Sequence, residues 1–177
     1  MINRIRQFLK NIAYGFKPLD EDYLGRYLSE SEKLLFLRLK KAEQFHSILI
    51  AKAMEKDAVE SERGHRNEFV RLALFHDIGK TASPMNIVEK SAAVILKKIL
   101  KGKLNRLDKL EFIASYLYHG ERGEEMLRKA KIFDSSPYCY QVVGLHHHPL
   151  ETLRERSSLS EDFYTALALL KKYDDLN

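Results

Sequence analysis

The stretch Leu74–Lys80 reads LFHDIGK. Phe69, Leu72 and Ala73 lie seven, four and three residues before His76. Those offsets share one face of an α-helix, so the imidazole of His76 turns toward an apolar interior. Asp77 sets a carboxylate beside it, and Gly79 with Lys80 ends the pattern. A histidine on an apolar face is ordinarily a core residue with one satisfied hydrogen bond. The meaning of LFHDIGK therefore depends on whether the rest of the chain repeats the arrangement.

It does. His46 shares a face with Leu39, Ala42, Leu49, Ile50 and Ala53. His119 follows Phe112 by seven residues and Tyr116 by three, and His146 follows Val142 and Val143. Four imidazoles then face one interior, and burying each without a partner costs up to several kcal/mol. A metal centre offsets that cost. Asp174, one turn after Leu170 and two after Leu167, adds a second inward carboxylate, whereas Asp175 falls toward solvent over Lys171. Imidazole with carboxylate suits Fe, Mn, Ni, Co or Zn.

The surroundings read as helices. The chain has 177 residues, 45% of them hydrophobic and 31% charged, with 8 Gly and 4 Pro. That composition fits one soluble domain and excludes a disordered chain. Ile2, Ile5, Phe8, Leu9 and Ile12 predict an amphipathic helix over 2–13, ended by Gly15 and Pro18. Ser29 with Glu32 makes a capping box that opens a long helix from Glu30 to Met54. Further helices are expected over 65–77, 87–101, 106–118, 121–130, 137–146 and 160–175, with Asp134–Pro137 as cap and first turn of the helix bearing His146. The fold class is all-α: a helical bundle with a metal centre between core helices. Residues 1–28 form an N-terminal helical extension and 29–177 the domain.

Other features narrow the setting. No apolar run approaches the ~20 residues that span a bilayer, and the basic N-terminus has no secretory h-region. Cys139 is alone and fits a reducing, cytoplasmic location. Thirty basic against 25 acidic residues leave a net charge of +5, a mild bias toward anionic partners. Lys97, Lys98, Lys101, Lys103, Arg106 and Lys109 form a basic run without interleaved aromatics, which reads as a solvated face and argues against a nucleic-acid surface. His65 reads as a surface residue before the His76 helix. His148 is either an extra donor beside the His146–His147 pair or a rim residue.

LFHDIGK resembles the signature of the HD-domain metal-dependent phosphohydrolases, of the HDIG type. The resemblance extends to His46 on an earlier helix, to HGERGEEML (His119–Leu127), to VVGLHHH (Val142–His148) and to Asp174 late in the last helix. It implies two divalent transition-metal ions. One is held by His46, His76, Asp77 and Asp174. The other is held by a bridging Asp77 with His119, His146 and His147. It also implies catalytic roles for Asp77 and Lys80, with Lys80 and Arg122 on a substrate phosphate. The related HD-GYP proteins follow their His pair with Glu, DG and GYP strings, and HHHPLETLRERSS (His146–Ser158) has none of them. Ala42 stands where a third metal would find its Glu, so two metals are expected. The implied activity is hydrolysis of a phosphate ester in a small, nucleotide-like substrate. A non-catalytic module that binds a nucleotide or protein, and an iron oxygenase, are the alternatives. A homodimer stays open.

Overall fold

Helices of 5 to 20 residues make up most of the described chain. The computed structural model describes residues 18–60, 65–100, 103–155 and 158–176. The helix expected over 2–13 lies outside them. Among the described residues there are no strands, so the fold is all-α. None of their helices is long and apolar enough to cross a membrane.

α1 (Glu21–Tyr27) starts where Asp20 accepts from the Tyr23 backbone N–H, and it buries Tyr23 and Leu24. α2 (Glu30–Phe36) opens with the Ser29–Glu32 capping box. The single helix expected from Glu30 to Met54 is two helices. The chain turns at Leu37–Lys40 and restarts as α3 (Lys41–Glu60). No Gly or Pro marks the break. Gln44 makes it, donating from Nε2 to the carbonyls of Leu37 (3.0 Å) and Leu39 (2.8 Å) that a continuous helix would have used. α4 (Arg66–Phe75) follows, then a 3-10 turn at Ile78–Thr81. α5 (Ile87–Ile99) carries a second capping box, Asn86 with Glu89.

A 3-10 turn at Leu104–Leu107 precedes α6 (Glu111–Lys129). Two helices were expected here, over 106–118 and 121–130. Two helical segments do meet there, in a kink at Tyr118 where the backbone leaves helical φ/ψ, and the first begins at Glu111 rather than 106. α7 (Tyr138–Leu145), α8 (Leu150–Arg154) and α9 (Glu161–Asp174) complete the chain. α7 has no side-chain cap. Asp134, expected as part of that cap, accepts from the Tyr140 hydroxyl at 2.8 Å, and the same hydroxyl oxygen accepts from the Phe133 N–H.

The apolar residues form two cores. The larger joins α1–α4, α7 and α9, with Phe36, Phe75 and Phe133 edge-to-face at 6.4 Å between successive centroids. Such pairs add roughly 0.5–1.5 kcal/mol each beyond area burial. The smaller is Ala93, Leu104 and Ile113, flanked by Leu96, Tyr116 and Leu117. α6 belongs to both, its N-terminal half to the small core and Leu127 to the large one.

Candidate metal centre

Three histidines of the site stand where a helix ends or bends. His76 caps α4, His146 caps α7, and His119 follows the irregular Tyr118. The last carbonyls of a helix lack regular partners and are free to accept side-chain donors. Each imidazole uses one three residues back: His76 Nδ1 with Ala73 O (2.8 Å), His119 Nδ1 with Tyr116 O (3.1 Å), His146 Nδ1 with Val143 O (2.7 Å). A carbonyl only accepts, so Nδ1 carries the proton and Nε2 offers its lone pair.

Those Nε2 atoms converge on Asp77. His76 Nε2 lies 3.5 Å from Asp77 Oδ2, and His119 and His146 Nε2 lie 3.6 and 3.9 Å from Oδ1. His147 Nε2 is 2.6 Å from His119 Nε2. His46, on α3, puts its Nε2 2.9 Å from Asp174 Oδ1, which is 4.0 Å from His76 Nε2. Two sets of possible ligand atoms lie within 4.8 Å of one another: Asp77, His119, His146 and His147, and His46, His76 and Asp77. Asp77 belongs to both. Asp174 borders the second set through His46, and Asp175 is exposed.

The close approach depends on missing side chains. A Cβ on Gly79 would lie 1.8 Å from His119 O and 2.6 Å from Gly123 N, and one on Gly120 2.7 Å from Gly144 O. The 3-10 turn after the His-Asp pair thus rests directly on the backbone of α6, which carries His119 to Asp77. Gly79 serves this contact rather than the loose turn its place in the sequence suggests.

The electrostatics favour cations. The Nε2 atoms of His76 and His146 are buried and have no hydrogen-bond partner among the described residues. An orphaned buried polar atom costs ~1–3 kcal/mol. Burial and the nearby Lys80 ammonium lower the His119 imidazole to about 4. Burial and the His147 ring push His146 well below its usual range. Burial opposes ionisation of Asp77, yet Lys80 and the surrounding imidazoles hold its carboxyl well below the ordinary value. Neutral, proton-free Nε2 atoms around an ionised carboxylate are the donor set that a divalent transition metal takes.

Lys80 ion-pairs with Asp77 Oδ2. It also lines a cleft of about 390 Å³ beside the centre, together with His119, His147 and His148. Arg122, half-buried on α6, is not among the lining residues. His65 is exposed, its ring near Phe69 and Tyr138. The structure adds Lys90, which the sequence did not single out, and Lys97, which read only as part of a solvated basic run. Lys90 and Lys97 line the cleft, and Lys97 Nζ lies 5.4 Å from the Tyr116 ring centroid. The spacing Lys90, Val94, Lys97 is a helical face and could have signalled this. The aromatic partner is 19 residues further along and absent from the linear run. Glu43, one residue from the position where a third carboxylate was sought, is buried and accepts from Lys90 Nζ at 2.6 Å.

The HD domain family model matches residues 44–168, which include every residue of both ligand sets. No curated protein and no solved structure matches the chain significantly. With most of its length inside that match and the His-Asp pair at its centre, this chain belongs to the HD domain family.

Proposed function

We propose that the chain is a metal-dependent phosphohydrolase or phosphodiesterase that cleaves a phosphate ester of a small, nucleotide-like substrate at a binuclear centre. One observation carries the reading: buried imidazoles with proton-free Nε2 atoms surround a carboxylate that is shared by two ligand sets. A core histidine needs one hydrogen bond, and each of these has spent its only donor on a backbone carbonyl. What remains on each ring is a lone pair aimed at Asp77.

In this reading His46, His76, Asp77 and Asp174 hold one ion, and Asp77, His119, His146 and His147 hold the other. Bound divalent ions supply an activated water near neutral pH and stabilise charge on the phosphoryl oxygens. The protein does the rest. The Nδ1–carbonyl bonds fix the ring planes. Gly79 keeps Asp77 and His119 in register. Lys80, half-buried at the cleft, offers its ammonium to a substrate phosphate. Six protein ligands around a shared carboxylate are more than one ion needs, which favours two ions.

The test is turnover of bis(p-nitrophenyl) phosphate by protein purified without chelators. Asp77→Ala should abolish both turnover and bound metal. Lys80→Ala should keep the metal and lower turnover about 10²-fold or more, the usual size for loss of one charge-stabilising donor. Full turnover in Asp77→Ala would overturn the assignment.

A further inference from the structure

We infer that the outer face of α5 docks on an anionic lipid surface, with Val88, Ile95 and Ile99 entering the headgroup layer and Lys98, Lys103 and Arg106 meeting the lipid phosphates. The hydrolase reading plays no part in this. α5 spends its other faces inside the molecule. Ala93, Leu96 and the C-cap Leu100 pack in the small core, and Lys90, Val94 and Lys97 line the cleft. Ile95 and Ile99 follow Val88 by two and three helical turns, so the three share the remaining stripe. They are 72% (Val88), 57% (Ile95) and 65% (Ile99) exposed. Single exposed apolar residues are ordinary. Three β-branched ones in register on one helix, with no cover among the described residues, mark a contact surface.

Charge selects what covers the stripe. Lys98 flanks it beside Ile99. The Lys103 N–H donates to Leu100 O at 3.0 Å and the Arg106 N–H to Lys103 O at 3.1 Å, so both cations follow directly on the end of α5. All three are exposed, and none has a carboxylate partner among the described residues. The one acid of α5, Glu89, is held at the opposite end in the cap, 2.7 Å from the Asn86 N–H. Asp108 and Glu111, the next acids along the chain, accept from the hydroxyls of Tyr118 (3.3 Å) and Ser83 (3.0 Å). An apolar stripe with an unbalanced basic end is complementary to an apolar layer under negative charge, which a bilayer of anionic lipid presents. Other occupants fit less well. A second copy brings the same cations and the same engaged acid, and three apolar residues are a small part of the ~20–30 residues a side of a stable protein interface. The segment over 2–13, basic at Arg4, Arg6 and Lys10, has the same sign as this end of α5. Nucleic acid would match the cations and leave the aliphatic side chains in water.

The experiment is co-sedimentation of the full chain, purified without chelators, with vesicles of phosphatidylcholine alone or of an equal mixture with phosphatidylglycerol. The wild type should bind the mixed vesicles at least about tenfold more tightly than the neutral ones, and added salt should weaken that binding. Replacing two lysines together, Lys98→Gln with Lys103→Gln, should weaken it about 25-fold, roughly fivefold for each charge. Ile95→Gln should weaken it about tenfold, through lost apolar burial. Thermal unfolding and metal content should stay unchanged in every variant, because the substituted side chains are exposed. The chain has no tryptophan, so Ile95→Trp places a single reporter on the stripe. Its emission should shift to the blue on mixed vesicles and be quenched by brominated acyl chains. No binding to the mixed vesicles, equal binding to both kinds, or an unshifted emission from bound protein would overturn the proposal. So would a stable wild-type dimer in analytical ultracentrifugation that Ile95→Gln dissociates, because the stripe would then belong to a second copy.

Discussion

The two cores are built to different standards. Around the metal centre, α3, α4, α7 and the second half of α6 share a large core, and glycines bring backbones into direct contact. Beside the cleft, α5, the 3-10 turn at Leu104–Leu107 and the first half of α6 share three buried apolar residues and a fringe of half-buried ones. Large, dense packing resists displacement. Small clusters open locally at lower cost. The ligands and Lys80 thus stand on the rigid half, whereas the cleft wall with Lys90 and Lys97 stands on the half that can adjust to what enters.

The sharpest way to break this contrast is Gly79→Ala. The new methyl would meet the His119 carbonyl, a backbone group that cannot rotate away. The expected loss is about 3 kcal/mol, the upper range for overpacking, together with most of the bound metal. Denaturant titration and elemental analysis check both. Retention of stability and metal would mean that the turn does not set the position of His119.

On the adjustable side, Ile113→Ala empties part of the small core. It should cost about 2–3 kcal/mol and leave metal content unchanged, as read by the same two measurements. Loss of metal in this variant would show that the two halves are one unit. The smallest effects come at the end of α9. Asp174→Ala removes the partner of His46 Nε2 and should weaken metal retention. Asp175→Ala should change stability by less than about 0.5 kcal/mol and leave the metal in place. Chelator competition on the two variants, with equal metal loss from both, would contradict this division of the pair.

Much of this arrangement is legible in the chain. The all-α class follows from composition and from apolar spacing, and the inward faces of His46, His76, His119 and His146 follow from the same period. What escaped was set by contacts distant in sequence. The break after Phe36 is made by a side chain seven residues beyond the carbonyl it satisfies, with no Gly or Pro to announce it. That Gly120 and Gly123 admit the Gly144 carbonyl and the Gly79 amide is something only the fold reveals. Lys97 is exposed, as its place in a basic run suggests, but its ring partner on another helix is absent from that run. Local rules find ligand faces. They do not find the second wall of a cleft.

Metal content per chain tests the central claim most directly. Protein purified without chelators and analysed for Fe, Mn, Ni, Co and Zn should carry about two transition-metal ions per chain, and Asp77→Ala should carry almost none. A wild-type chain that is active on bis(p-nitrophenyl) phosphate with no bound transition metal, or one that binds a single ion with His119 uncoordinated, would contradict the binuclear account.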